Sequence, residues 1–396
     1  MLCLSRMSSD SLLSLLWLLL PVAAASGWLM ARIDQRRKEQ DPKLDLPSAY
    51  FKGLNFLLNE QPDKAIEVFI KVLEVNSDTV ETHLALGNLF RRRGEVERAI
   101  RIHQNLIARP TLDSEQRSLA LLELGQDYFK AGLFDRAENL FTELVETRAH
   151  SEQALEMLQQ IYKQEKEWGK AIEVSERLAR LGDHPLDDVI ANYFCELAEL
   201  ELTNDNEDNA VRLVKKALQR DANSVRASII LGDIEFRRGR YRPAIQAWSQ
   251  VERQDAEMLG EVAQRIRDAY LALHDEKGMY DYFKASLARN SDIKTMLTLA
   301  DLIKDRDGID AAEAFVVDWL RRNPSVQGLK RLLDLHLMQA EGSAQNDLVL
   351  LKGILEKLGE QYQGYACTHC GFKGRTLYWS CPGCNHWNTV KPVPEA

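Results

Sequence analysis

Small residues recur at a fixed interval along most of this chain, and that recurrence restricts the fold more than any other feature. Gly53 is followed twelve residues later by Ala65 and Gly87 by Ala99, the two pairs being offset by 34 residues. Gly125 and Ala137 repeat the pair after a four-residue insertion around Pro110. Gln159 with Ala171, Ala198 with Ala210, Gly232 with Ala244 and Ala300 with Ala312 carry it further. Two helices that cross at close range need small residues at the crossing, because a larger side chain would force them apart.

A 34-residue period with this spacing is the tetratricopeptide signature, one helix–turn–helix per repeat. The second helices agree with it. In "EVERAIRIHQNLI", Val96, Ala99, Ile100, His103, Leu106 and Ile107 fall on one face of a helix. Stretches such as "RRGEV" and "KAGLF" supply turns between helices. About eight units are expected over residues 46–324, the weakest between Glu257 and Asn290, where the small pair is displaced. Residues 325–360 predict further helices that cap the array, since a last repeat otherwise exposes an apolar face. The expected fold class is all-α: a right-handed tetratricopeptide superhelix whose concave surface is lined mainly by first helices.

Ahead of the repeats, residues 11–31 read "SLLSLLWLLLPVAAASGWLMA", without a charge. A helix of that length spans ~30 Å at ~1.5 Å per residue, the thickness of a bilayer core. Ala23 and Ala25 resemble a signal-peptide cleavage site, but the apolar run continues through Trp28 to Met30. Arg32, Arg36, Arg37 and Lys38 follow the run and only Arg6 precedes it, which keeps the C-terminal side in the cytoplasm. The expectation is a transmembrane helix with a short periplasmic tail over residues 1–10, where Met7 offers a second start. A juxtamembrane linker follows over residues 32–45.

Near the C-terminus stands "CTHCGFKGRTLYWSCPGCN", two CxxC pairs ten residues apart. Cys367, Cys370, Cys381 and Cys384 supply four soft sulfurs, a set that suits tetrahedral Zn(II) or iron. Gly371 and Asn385, which follow the pairs, tolerate a left-handed backbone. A segment this short, residues 364–394, cannot bury enough surface to fold alone, so metal affinity must supply its folding energy. His369 and His386 are surplus to a complete ligand set. Tyr378, Trp379 and Trp387 are expected to dock the metal module on the repeats. Of the other cysteines, Cys195 sits in an apolar helical run, as an inert core residue does.

A net charge of −9 argues against a nucleic-acid partner, which needs clustered Lys and Arg. Walker A, GxSxG and HExxH motifs, and a GxGxxG following a strand, are all missing from the sequence, so the chain reads as a binding protein rather than an enzyme. Asn88, Gln126 and Asp233 at the ninth position of their repeats, with Arg92, Lys130 and Arg237 at the thirteenth, form a candidate partner groove for an acidic peptide or a C-terminal carboxylate.

An anchor, repeats and a four-cysteine module in that order, with stretches such as "VETHLALGNLFRRRGEVERAIRIHQ" and "CGFKGRTLYWSCPGCNHWNTVKP", closely resemble the lipopolysaccharide assembly protein B family of Gram-negative bacteria. The resemblance implies an inner-membrane, single-pass, cytoplasm-facing adaptor. Such an adaptor regulates lipopolysaccharide synthesis by promoting degradation, by the membrane-bound AAA+ protease FtsH, of the deacetylase that commits precursors to lipid A. It also implies a rubredoxin-like module holding iron, and contacts with other lipopolysaccharide synthesis or transport proteins. The ten-residue spacer suits a zinc ribbon equally, so zinc stands beside iron. A rubredoxin-like electron-transfer protein and a generic membrane-tethered tetratricopeptide scaffold are the alternative functions.

Overall fold

A computed structural model describes residues 46–59, 61–75, 80–182, 185–360 and 364–393, together with 25, 26 and 28–30. Of the expected membrane span, those five residues are helical and exposed, and the rest of residues 11–31 lie outside the described residues. Among the described residues no helix is long and apolar enough to cross a membrane. The expected tail at 1–10 and linker at 32–45 also fall outside them.

The chain divides into two compact units, one through His150 and one from Ser151. The first holds three helix pairs: α1 (Leu46–Leu58) with α2 (Pro62–Val75), α3 (Val80–Arg92) with α4 (Val96–Ile107), and α5 (Ser114–Lys130) with α6 (Phe134–Glu146). The second begins with α7 (Ser151–Glu165), α8 (Trp168–Leu181), α9 (Asp187–Thr203), α10 (Glu207–Arg220), α11 (Val225–Arg237) and α12 (Tyr241–Ser249). A short α13 (Val251–Gln254) and a 3-10 turn (Ala256–Met258) follow, then α14 (Gly260–Ala272), α15 (Glu276–Arg289), α16 (Ile293–Asp307) and α17 (Ile309–Arg322). Helices α18 (Val326–Gln339) and α19 (Ser343–Glu360) complete the helical part. Several turns inside pairs place a left-handed residue two positions before the second helix: Gly94 and Gly132 take φ of 86° and 74°, and Lys166 and Asp205 adopt the same conformation at a strain cost that glycine avoids.

The recurring glycine has a different immediate reason from the small-against-small crossing expected of it. A Cβ built on Gly53, Gly125 or Gly232 would come within 2.7, 2.6 and 2.2 Å of the rings of Phe69, Phe141 and Trp248, and one on Gly87 within 2.3 Å of His103. Each ring stands sixteen residues after its glycine. Where the first position is larger, the partner shrinks. Gln159 faces buried Ser175, with a 2.7 Å hydrogen bond from Nε2 to Oγ. Ala198 and Ala300 stand sixteen before Val214 and Val316, all four wholly buried. Summed volume across each pair is what the crossing conserves, as close-packed interiors require.

The terminal pair departs from a polar cap. Val349, Leu350, Leu351 and Ile354 on α19 are 56, 65, 49 and 47% exposed, so α19 turns apolar surface outward. The chain is also not wholly helical. Strands β1 (Tyr365–Cys367), β2 (Lys373–Gly374) and β3 (Val390–Pro392) form an antiparallel sheet in the order β2–β1–β3, with Tyr365 opposite Gly374 and Cys367 opposite Val390.

Candidate metal centre and its seat on the repeats

The two CxxC knuckles fold alike because their backbone hydrogen bonds match residue for residue. The N–H of Cys367 donates to the carbonyl of Phe372, and that of Cys381 to His386, at 2.7 and 2.9 Å. The N–H of Gly371 returns to Cys367 and that of Asn385 to Cys381, at 3.0 and 2.8 Å. Closing each turn requires a positive φ, 76° at Gly371 and 58° at Asn385.

The knuckles bring the four sulfurs together. Cys367 Sγ lies 3.7 Å from Cys384 Sγ, and Cys370 Sγ 3.7 Å from Cys381 Sγ. Four sulfurs at about 2.3 Å from one ion stand about 3.8 Å apart in a tetrahedron, so the set fits a single metal. The thiols show the same strain on charge. Burial works against the Cys367 thiolate, yet the Thr389 hydroxyl and the N–H groups of Cys370 and His369 outweigh it and hold that thiol down at about 5. Cys370 is pushed up to about 12, because burial and the three neighbouring thiols outweigh the N–H of Phe372. Four thiolates in so small a volume need a cation among them. Cys367 and Cys381 are buried, whereas Cys384 is partly exposed and Cys370 exposed, so the centre has an inner and an outer edge.

The module seats on the repeats of the second unit through its tryptophans. Arg226, near the start of α11, is only 3% exposed and is bound by Glu196 and Glu199 of α9 at 2.9 Å each. Its guanidinium lies 5.9 Å from the ring centroids of both Trp379 and Trp387. Burial alone would lower its pKa, but Glu199 and Glu196 raise it above the ordinary arginine value. The Trp387 ring meets Tyr193 edge-on at 5.9 Å, and Lys163 of α7 stands over it at 4.9 Å while donating to the Asn385 carbonyl at 2.5 Å. Burial lifts the Tyr193 hydroxyl well above the ordinary tyrosine range. On the other flank Lys391 pairs with Asp255, and the Tyr365 hydroxyl donates to Glu261 at 2.9 Å. Cys195, beneath Arg226, is wholly buried with its thiol pushed up to about 12 by burial, which fits an inert core residue.

Trp379 and Trp387 thus reach the repeats. Tyr378 does not: it is 40% exposed and packs edge-on against Phe372 within the module. Leu377, one residue earlier, takes its place with Trp379 against the core of the second unit. Residues 376–379 lie between β2 and β3 in irregular backbone, which turns Leu377 and Trp379 to the repeats and Tyr378 to Phe372. Arg226, Lys163, Asp255 and Glu261 went unread in the sequence. One signal for Arg226 was available, a single charge inside the apolar stretch "SVRASIILG".

The candidate groove residues divide by position. Gln126 accepts from Arg91 at 2.8 Å, and Asp233 accepts from Trp248 Nε1 at 3.2 Å and Arg265 at 3.0 Å. Both therefore serve the stack itself. Asn88 is half-buried, with its Oδ1 unpartnered among the described residues. Arg92, Lys130 and Arg237 are exposed. Beside the module, a cleft of about 860 Å³ opens among Gly260, Asp292, Lys294, Trp319, Tyr365 and Arg375.

Comparison with known proteins adds to this picture. The family described as Rubredoxin metal binding domain matches residues 365–392, and tetratricopeptide repeat families match 82–118 and 195–257. The lipopolysaccharide assembly protein B of Escherichia coli strain K12 is 41% identical over 96% of this chain and 98% of its own length. Its counterpart in Haemophilus influenzae is 36% identical over 96% of this chain and 98% of its own.

Proposed function

Since the chain belongs to the lipopolysaccharide assembly protein B family, we propose that it is a non-enzymatic, membrane-tethered adaptor in the control of lipopolysaccharide synthesis. The observation that carries this reading is identity at 41% along 96% of the chain. The apolar run at residues 11–31 supports an inner-membrane anchor with the bulk of the chain in the cytoplasm. Tethering confines the repeats to the membrane surface and raises the effective concentration of anything they hold beside a membrane-bound protease. The partners proposed are the protease FtsH and the deacetylase of the lipid A pathway.

In this reading the metal cross-links the two knuckles and so folds the module. The protein's own residues do the rest. Arg226, Lys163 and Tyr193 hold the module against the repeats, and Lys391 and Tyr365 fix its other flank to Asp255 and Glu261. Depletion of the protein in its host should raise the level and half-life of the deacetylase, measured by immunoblot after translation is stopped. Unchanged turnover would overturn the proposal.

The exposed Cys370 edge favours electron transfer as a second reading, with iron as the metal. Replacing iron by redox-inert zinc separates the two: full adaptor function with zinc excludes electron transfer.

A further inference from the structure

The outer edge of the metal centre carries two side chains that neither the four-sulfur site nor the docking contacts use. His369 and His386 are both exposed, each within two residues of one of the outer cysteines. Their imidazole rings stack at 3.8 Å between centroids with 23° between planes. One ring nitrogen of each, together with Cys384 Sγ, lies within 4.8 Å of the others. The inner cysteines, Cys367 and Cys381, have no such neighbours in this cluster.

The hydrogen bonding of His386 suits a ligand. Its Nδ1 stands 3.0 Å from the Cys384 carbonyl, which can only accept, so Nδ1 carries the hydrogen and Nε2 keeps the lone pair. A ring N–H donated to a carbonyl is the usual support of a metal-ligating histidine. Nitrogen and sulfur ligands around one tetrahedral ion stand about 3.3–3.8 Å apart, so the two exposed rings must close by about an ångström and tilt out of their stack to aim both lone pairs, which lie in the ring planes, at one ion. A thiolate already bound to one metal keeps further lone pairs and can bridge to a second.

We propose that His369, His386 and the sulfur of Cys384 form a second, weaker site for a zinc-class divalent cation on the outer edge of the four-cysteine centre. The ligand set, two imidazoles and one thiolate, selects borderline ions such as Zn(II) and Co(II) over Mg(II) and Ca(II). Because one sulfur is shared, occupation of the outer site weakens the hold of Cys384 on the inner ion.

The test uses the full chain, reduced and loaded with one equivalent of Zn(II), then titrated with Co(II). One further Co(II) should bind, seen as a visible ligand-field band with a thiolate-to-cobalt charge-transfer band, while zinc stays at one per chain. His369→Gln and His386→Gln should each weaken that second event about tenfold or more, ~1.4 kcal/mol. The double variant should lose the charge-transfer band and retain its zinc. Three results would each overturn the proposal: no second equivalent in the parent protein, cobalt uptake matched by zinc release, or unchanged affinity in the double variant. Loss of the tight zinc from the double variant would assign the imidazoles to the inner site and overturn it as well.

Discussion

Two arginines, one in each unit, solve the same problem with different partners. Arg91, 16% exposed, reaches from α3 to α5, where it binds Glu123 at 2.6 Å and Asp127 at 2.8 Å. Asp127 is wholly buried and also meets Nδ1 of wholly buried His103 at 2.5 Å. Every charge in that cluster is answered within the repeats. Arg226 is still more deeply buried, and its carboxylates also come from the repeats, but its faces are covered by two tryptophans of the metal module. Removing the module would return this guanidinium to water. One unit is thus self-sufficient at its buried charge, and the other is finished by a metal-dependent segment.

Breaking the metal centre should have the largest effect. Cys381→Ser should abolish stoichiometric metal and unfold residues 365–392, since a structural metal contributes ~10–16 kcal/mol to such a module. Hydrogen exchange should rise there and around Arg226, and remain unchanged around Arg91. Next come the arginines themselves. Arg91→Ala should destabilise by about 3–5 kcal/mol, because it leaves wholly buried Asp127 without its guanidinium, and Arg226→Ala by about 1–3 kcal/mol, since Glu196 and Glu199 are 25 and 46% exposed and regain water. Only Arg226→Ala should speed removal of the metal by a chelator; equal chelation rates in the two variants would dissolve the distinction.

The crossings come third. Gly87→Ala and Gly232→Ala should each cost about 1–3 kcal/mol in urea unfolding, because a methyl group must displace His103 or Trp248. A pH effect follows from Cys195, which lies beneath Arg226. Its thiol is raised from an ordinary 9.0 to about 12, so the native state favours the neutral form. That contribution is fully present below pH 9 and is lost as pH rises from about 9 to 12. Cys195→Ala should flatten the decline of the urea midpoint across that window. Smallest of all, Arg92→Glu with Lys130→Glu should leave stability within about 0.5 kcal/mol, as exposed positions do. Any loss of partner capture in that variant would then be a binding effect.

The helical periodicity and the cysteine spacing were legible because each is written locally: one face of one helix, or a turn of a few residues. The identity of the metal-binding set needed no tertiary information. What joins Arg226 to Trp387, 161 positions apart by sequence number, or Lys163 to Asn385, 222 apart, is not written locally at all. Tyr378 was misplaced for a related reason. A run of aromatic residues announces packing, but the irregular backbone between β2 and β3 decides which of them faces inward, and no sequence period describes it. The ninth-position polar residues were similarly ambiguous: Gln126 and Asp233 are spent on neighbouring first helices.

The paired volumes at the helix crossings have a consequence for how this chain finds its register. A row of near-identical helix pairs invites slippage by one repeat, or exchange of one pair for another during folding. Here the first helix bearing Gly232 accepts only a second helix that brings a ring as large as Trp248, and the helix bearing Gln159 accepts only one that brings a residue as small as Ser175. Seating Trp248 on Gln159 would collide, and seating Ser175 on Gly232 would leave a hole. Neighbouring pairs are keyed differently, so a one-repeat shift is penalised at several crossings at once, and adjacent repeats, though alike in outline, are not exchangeable parts.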